Sequence, residues 1–179
     1  MTPHIICIVG KKRSGKTTFL EKLIPELRAL GISVGAVKHD AHSFDMDREG
    51  KDSWRLKQAG AGTIVVSSPE RVAMIRSVDR EMTLEEMAGT LFKDKHLVLT
   101  EGYFNADHPK VEIHRGDAHE HPLCDRHNQA EKKLIAMVTD QDVDADVPKF
   151  DPEDAKGVAA HIARSSLGWV QDRMWEGQG

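Results

Sequence analysis

Ile5-Ile6-Cys7-Ile8-Val9 is apolar at every position. With no polar residue to alternate, the run predicts a strand buried on both faces. Similar short runs recur at Val34 to Val37, Thr63 to Ser67, Leu97 to Thr100 and Leu134 to Val138. Between the first two, Leu20, Leu23, Ile24, Leu27 and Leu30 return at helical spacing, and Gly31 supplies a stop. Pro25 falls inside that pattern and predicts a kink or local break. A late helix is expected to open at Asp151-Pro152-Glu153-Asp154, with Asp151 as cap, Pro at the first helical position and acids in the first turn. Its apolar stripe is Val158, Ala159, Ile162 and Ala163. Val72 to Ile75 and Val111 to Ile113 are expected as shorter strands, antiparallel in their pairing. Strands alternating with helices define an α/β class, a mostly parallel sheet flanked by helices with a short antiparallel extension. One domain over 1–168 is expected, followed by a tail over 169–179. In that tail Trp169, Met174 and Trp175 are read as covering a core edge or a subunit contact.

Composition narrows the class further. Of 179 residues, 39% are hydrophobic and 30% charged, which fits a soluble globular protein and not a disordered one. Lys and Arg number 25 against 29 Asp and Glu, a net charge of −4, which argues against a dedicated nucleic-acid-binding module. No apolar run approaches the roughly 18 residues needed to cross a bilayer, so no membrane association is expected. The early apolar run is too short for a secretory leader and precedes its basic residues. Two cysteines, Cys7 and Cys124, build no disulfide framework, which points to a reducing cytoplasm. Cys7, in the middle of a strand, is read as a small buried apolar residue.

Gly10-Lys11-Lys12-Arg13-Ser14-Gly15-Lys16-Thr17 fits G-x-x-x-x-G-K-[ST] in full, directly after a buried strand and before an amphipathic helix. Glycines let the backbone curl round a phosphate chain, and the helix N-terminus adds free N–H donors and a favourable dipole. In this P-loop NTPase pattern Lys16 reaches the β- and γ-phosphates and the Thr17 hydroxyl binds Mg²⁺. Such a metal needs carboxylates from neighbouring strand ends. Glu101, after the run Leu97 to Thr100, is placed for this, and Asp40, after Val34 to Val37, is a second candidate for the metal or for water. No Asn-Lys-x-Asp sequence signals guanine; Asp140, after the run Leu134 to Val138, is a possible substitute acceptor for guanine N1 and N2. It lies in an acidic loop with Asp142, Asp144 and Asp146, and a plain solvated acid is the competing reading.

With these pieces in place, the sequence resembles the molybdopterin-guanine dinucleotide biosynthesis protein B (MobB) family, from Ile5 to about Arg164. The stretches that carry the resemblance are the loop, Val37-Lys38-His39-Asp40, and Gly50-Lys51-Asp52-Ser53-Trp54-Arg55 running into Ala59-Gly60-Ala61. Thr100-Glu101-Gly102-Tyr103 and Lys110-Val111-Glu112-Ile113-His114-Arg115 complete it. The resemblance implies a GTP-binding adapter with weak GTPase activity, usually a homodimer, which assists the guanylyltransferase that joins GMP to Mo-molybdopterin. It maps Gly10, Gly15, Lys16, Thr17 and Thr18 to the nucleotide, and Thr17 with Glu101 to the metal; Lys11 and Ser14 of the same loop are expected at the nucleotide too. Asp40, Lys51, Asp52, Ser53 and Arg55 match a segment near the phosphates able to act as a switch. Lys110, Glu112 and Arg115 match a motif without a derived role, for which cross-strand salt bridging between Lys110 and Glu112 is the simple account.

Between Gly116 and Gln129 the chain departs from that pattern, and five of its ten histidines fall between His108 and His127. His119, His121, Cys124 and His127 give H-x-H-x₂-C-x₂-H, whose ligand types suit zinc but whose spacing fits no familiar zinc site, so a solvated loop is expected. Slow turnover is expected, since neither an arginine finger nor a water-orienting Gln is evident. Two rivals remain at this point. One is a small-molecule kinase, with Arg71, Arg76 and Arg80 as a lid; the other is a GTPase that delivers nickel, with the histidines central. The charge sum itself resolves locally: Lys11, Lys12, Arg13 and Lys16 crowd the loop, while Asp140 to Asp154 holds seven acids against Lys149 alone. The anion these residues suit is one nucleotide with its magnesium, not a polyanion.

Overall fold

Strand β1 (His4–Val9) occupies the middle of a six-stranded sheet, and its residues from Ile5 onward are buried. The computed structural model describes residues 2–40, 47–124 and 133–168. Along the chain β1 is followed by α1 (Lys16–Ala29), β2 (Val34–Lys38), α2 (Asp52–Gln58), β3 (Thr63–Ser67), β4 (Val72–Arg76) and α3 (Leu84–Leu91). Then come β5 (Leu97–Glu101), β6 (Lys110–His114), β7 (Leu134–Thr139), β8 (Lys149–Phe150) and α4 (Ala155–Leu167). The chain divides into two compact units, one of Met1–His39 with Leu84–Gly179 and one of Asp40–Thr83.

In the first unit the sheet runs β2-β5-β1-β6-β7-β8 and every pairing is parallel. Period-two alternation sends Ile6 and Ile8 to one face, where Leu23 and Leu27 of α1 and Val158 and Ile162 of α4 pack on them. Ile5, Cys7 and Val9 face the other way, toward Leu84 and Ala88 of α3, Met137 and Cys124. The uniformly apolar run is thus a central strand covered on both sides. Among the described residues no helix is long and apolar enough to cross a membrane.

Local expectations fail in informative ways. Helix α1 runs through Pro25 without a break. A missing N–H and a ring clash cost about 3 kcal/mol, whereas burying Phe19, Leu20, Leu23 and Leu27 returns about 1.5–3 kcal/mol each. Helix α4 is capped by Asp154 and not by Asp151: the Asp154 carboxylate accepts the Gly157 N–H at 2.9 Å. Asp151 instead accepts the Glu153 N–H at 2.8 Å in a turn that precedes the helix. Strand β6 is not a short antiparallel addition; it pairs in parallel between β1 and β7. In the second unit β3 and β4 form the antiparallel pair, apart from the main sheet, so the run Thr63 to Ser67 is no part of the parallel layer.

Candidate functional site

The loop after β1 closes around two glycines that no other residue could replace freely. Gly10 has φ 148°, and a Cβ there would lie 2.3 Å from the Ile113 carbonyl oxygen of β6 and 2.6 Å from Ser14 Oγ. Gly15, the N-cap of α1, has φ 88°, a left-handed conformation that costs side-chain-bearing residues about 1–2 kcal/mol. Arg13 also has a positive φ of 68°. Ser14 is buried, its N–H bonds to the Lys11 carbonyl at 3.2 Å, and its Oγ has no hydrogen-bond partner among the described residues. Lys16 folds back over the loop, donating to the carbonyls of Gly10 (2.9 Å) and Lys11 (2.8 Å). Burial pulls the Lys16 ammonium below its usual range, and the nearby Glu101 carboxylate opposes that shift.

Strand register brings the acid to the loop. Ile8 of β1 and Lys38 of β2 both stand beside Glu101 at the end of β5. From there Glu101 Oε2 accepts the Thr17 hydroxyl at 2.7 Å, while its Oε1 is 3.8 Å from Lys38 Nζ. Thr17, at the second position of α1, and Glu101 are therefore adjacent, as a shared cation would require. Thr18 follows on the exposed start of the helix. The turn after Glu101 has positive φ at Gly102 (103°) and Tyr103 (59°), and the Tyr103 ring stacks at 4.5 Å from His39. Asp40 belongs to the second unit. There Ser53 donates to Asp47 at 2.8 Å and Arg55 pairs with Asp52 at 3.7 Å across the first turn of α2, whose N-cap is Lys51.

The Lys110, Glu112, Arg115 set does not form a cross-strand salt bridge; each side chain holds a different loop. Lys110 is buried and donates to the carbonyls of Ala106 (2.6 Å) and His108 (3.0 Å). Glu112 is 1% exposed and accepts the consecutive N–H groups of Leu123 (2.6 Å) and Cys124 (2.7 Å). Arg115 Nε lies 3.3 Å from Asp140 Oδ2, and Asp140 Oδ1 accepts the Gly116 N–H at 2.9 Å. That last bond holds the Asp140 carboxyl below the usual range. Asp140, with Gln141, Lys149 and Phe150, lines an open pocket of about 310 Å³ at the ends of β7 and β8.

The described members of the histidine segment do not converge. Cys124 is buried in the core, His121 is exposed beside Glu120, and His119 Nε2 bonds the Lys12 carbonyl at 2.6 Å. His127 lies outside the described residues, as do Trp169, Met174 and Trp175, and among the described residues no group of three His, Cys, Asp or Glu is placed to hold a metal. Cys7 is fully buried and burial pushes its thiol up, as its mid-strand position predicts. The roles of Glu112 and His119 have no sequence signal, because their partners are main-chain atoms 11 and 107 residues away.

A parallel sheet flanked by helices, with this loop between its central strand and first helix, is the P-loop NTPase fold. The family model described as molybdopterin guanine dinucleotide synthesis protein B matches residues 5–140. The chain therefore belongs to the MobB family, adapter proteins of molybdopterin-guanine dinucleotide biosynthesis. It is 35% identical over 164 residues to the Escherichia coli (strain K12) molybdopterin-guanine dinucleotide biosynthesis adapter protein, covering 88% of each chain. The Haemophilus influenzae protein of the same name is 41% identical over 112 residues, which span 62% of this chain and 63% of that one. Among solved structures, molybdopterin-guanine biosynthesis protein B (mobB) matches with a TM-score of 0.71 at 29% identity, over 89% of this chain and 97% of that one. Bacillus subtilis MobB matches with a TM-score of 0.65 at 25% identity, over 88% and 97% of the two chains.

Proposed function

We propose that this chain binds GTP with Mg²⁺ at the loop Gly10 to Thr17 and works as an adapter for the guanylyltransferase that joins GMP to Mo-molybdopterin. The observation that carries the reading is the 2.7 Å contact between Thr17 and Glu101 beside Lys16. Two hard oxygen donors at one end of a glycine-turned loop, next to an ammonium, suit a magnesium ion with a phosphate chain beside it. With a triphosphate bound, Lys16 would exchange the Gly10 and Lys11 carbonyls for phosphate oxygens, and Thr17 and Glu101 are the residues that would hold the cation. The chemistry a bound magnesium would supply there is neutralisation of phosphate charge.

The pocket beside Asp140 supports a base site at the ends of β7 and β8. A carboxylate has about four acceptor positions, so Asp140 can keep the Gly116 N–H and still receive guanine N1 and N2. Hydrolysis by the chain alone is slow in this reading, with the partner enzyme completing the chemistry.

Calorimetric titration with GTP and ATP in the presence of Mg²⁺ tests the assignment. Lys16→Ala is expected to weaken GTP binding by about a hundredfold or more, since charge-assisted bonds contribute about 1.5–3 kcal/mol each. Asp140→Asn is expected to erode the preference for GTP over ATP. A Lys16→Ala protein that binds GTP normally overturns the site. ATP preferred by the unaltered protein, or rapid phosphoryl transfer to a small acceptor, overturns the adapter reading.

A further inference from the structure

The loop that the motif defines is held from outside by a residue the motif does not contain. His119 is half-buried on the segment after β6, and its Nε2 lies 2.6 Å from the Lys12 carbonyl oxygen. A carbonyl only accepts, so Nε2 carries the hydrogen. With Lys16 on the carbonyls of Gly10 and Lys11, three successive loop carbonyls each have a donor. The C=O of one residue and the N–H of the next belong to one planar trans peptide and point in opposite directions. Fixing the Lys12 carbonyl therefore turns the Arg13 N–H to the side away from His119. Arg13 sits at φ 68°, a conformation that disfavours a residue with a side chain, so the bond acts where the backbone most needs holding.

The segment presenting His119 is tied at both ends. At its start the Gly116 N–H bonds Asp140 and Arg115 pairs with the same carboxylate. A tight turn follows, in which the Ala118 and His119 N–H groups reach the Arg115 carbonyl at 3.1 and 3.0 Å. At its far end the buried Glu112 carboxylate takes the N–H groups of Leu123 and Cys124. The imidazole is thereby offered to the loop from a braced position and needs little ordering of its own.

We propose that His119 is a positioning residue of the anion site: by holding the Lys12 carbonyl it preorganises the Arg13 amide for a phosphate oxygen. The inference rests on the loop being a phosphate site, but not on GTP as its occupant. Preorganisation raises affinity by removing an ordering cost that binding would otherwise bear.

The test compares His119→Leu, which removes the donor at similar bulk, with His119→Gln, whose amide nitrogen can take the place of Nε2. Each protein is titrated with Mg²⁺·GTP and with Mg²⁺·pyrophosphate, a probe without a base. His119→Leu is expected to weaken both by about tenfold, His119→Gln by no more than about threefold, the size of one hydrogen bond lost or kept. The melting temperature of ligand-free His119→Leu is expected to stay within a few degrees of the unaltered protein, which a purely structural role would not allow alongside weakened binding. Unchanged affinities in His119→Leu, or a His119→Gln protein as weak as His119→Leu, overturn the proposal. Pyrophosphate binding that depends on His119, with no GTP binding, overturns the nucleotide reading and leaves this one standing. Binding of neither ligand by the unaltered protein overturns both.

Discussion

Gly10 and Gly15 belong to the same loop, yet different forces exclude a side chain at each. A Cβ at Gly10 would collide with the backbone of β6 and with Ser14 Oγ, whereas one at Gly15 would meet nothing among the described residues within 4 Å, leaving its φ of 88° as the obstacle. Gly10→Ala is therefore expected to lower stability by about 2–4 kcal/mol, combining overpacking with backbone strain. Gly15→Ala, with strain alone, should cost about 1–2 kcal/mol. Urea unfolding of the two variants decides it; equal losses would mean that the close approach to Ile113 is not what fixes Gly10. These glycines were legible in the sequence because their chemistry is local, a turn and a helix start eight residues long. Glu112 was not. A buried carboxylate on a strand looks like half of a salt bridge until its partners prove to be two backbone N–H groups of a later loop. Thr17 and Glu101 stand between these cases: their strand-end placement was readable, and the fold supplied the 2.7 Å contact.

At the level of elements, capping separates two aspartates that the sequence makes nearly equivalent. Asp154 satisfies a free N–H of α4 itself, while Asp151 serves the turn ahead of it. Asp154→Ala is expected to cost about 1 kcal/mol and Asp151→Ala less, as read by thermal unfolding. The reverse order would put the helix start at Pro152. The same limits of local pattern explain the strands. Lys110, Glu112 and His114 alternate with apolar Val111 and Ile113, the pattern of a half-wet strand. All three polar residues are in fact buried, because β6 lies between β1 and β7 and polar atoms from loops meet two of them there. Conversely Thr63 to Ser67 is apolar enough for a core strand, but β4 only extends it edge to edge and covers neither face, and Val65 and Val66 are each 55% exposed. Periodicity reports which residues are apolar; it does not report how many layers will cover them.

For the whole molecule, the division into two units is expected to be a division of stability as well. The buried hydrophobic residues that the structure describes lie in the first unit, apart from Ile64 of β3. The register pairs Val65 with Met74 and Ser67 with Val72, and Val65, Met74 and Val72 on that face are 55%, 46% and 70% exposed. A two-stranded sheet with little buried surface is marginal by itself in water. Six parallel strands closed on both faces open only when the whole unit does, because every inner strand has neighbours on each side. Amide hydrogen exchange should therefore divide along the same line. The amides of β3 and β4 are expected to exchange through local openings of a few kcal/mol at most, while those of β1, β5 and β6 exchange only with global unfolding. Increasing urea separates the two behaviours: exchange in the central strands accelerates with the full dependence of global unfolding, and exchange in β3 and β4 changes little. Equal protection and equal urea dependence in both sets would show that Asp40–Thr83 unfolds as one cooperative body with the sheet. In that case the phosphate loop and the hairpin would share one stability, and a change such as Gly10→Ala would loosen β3 and β4 as much as β1.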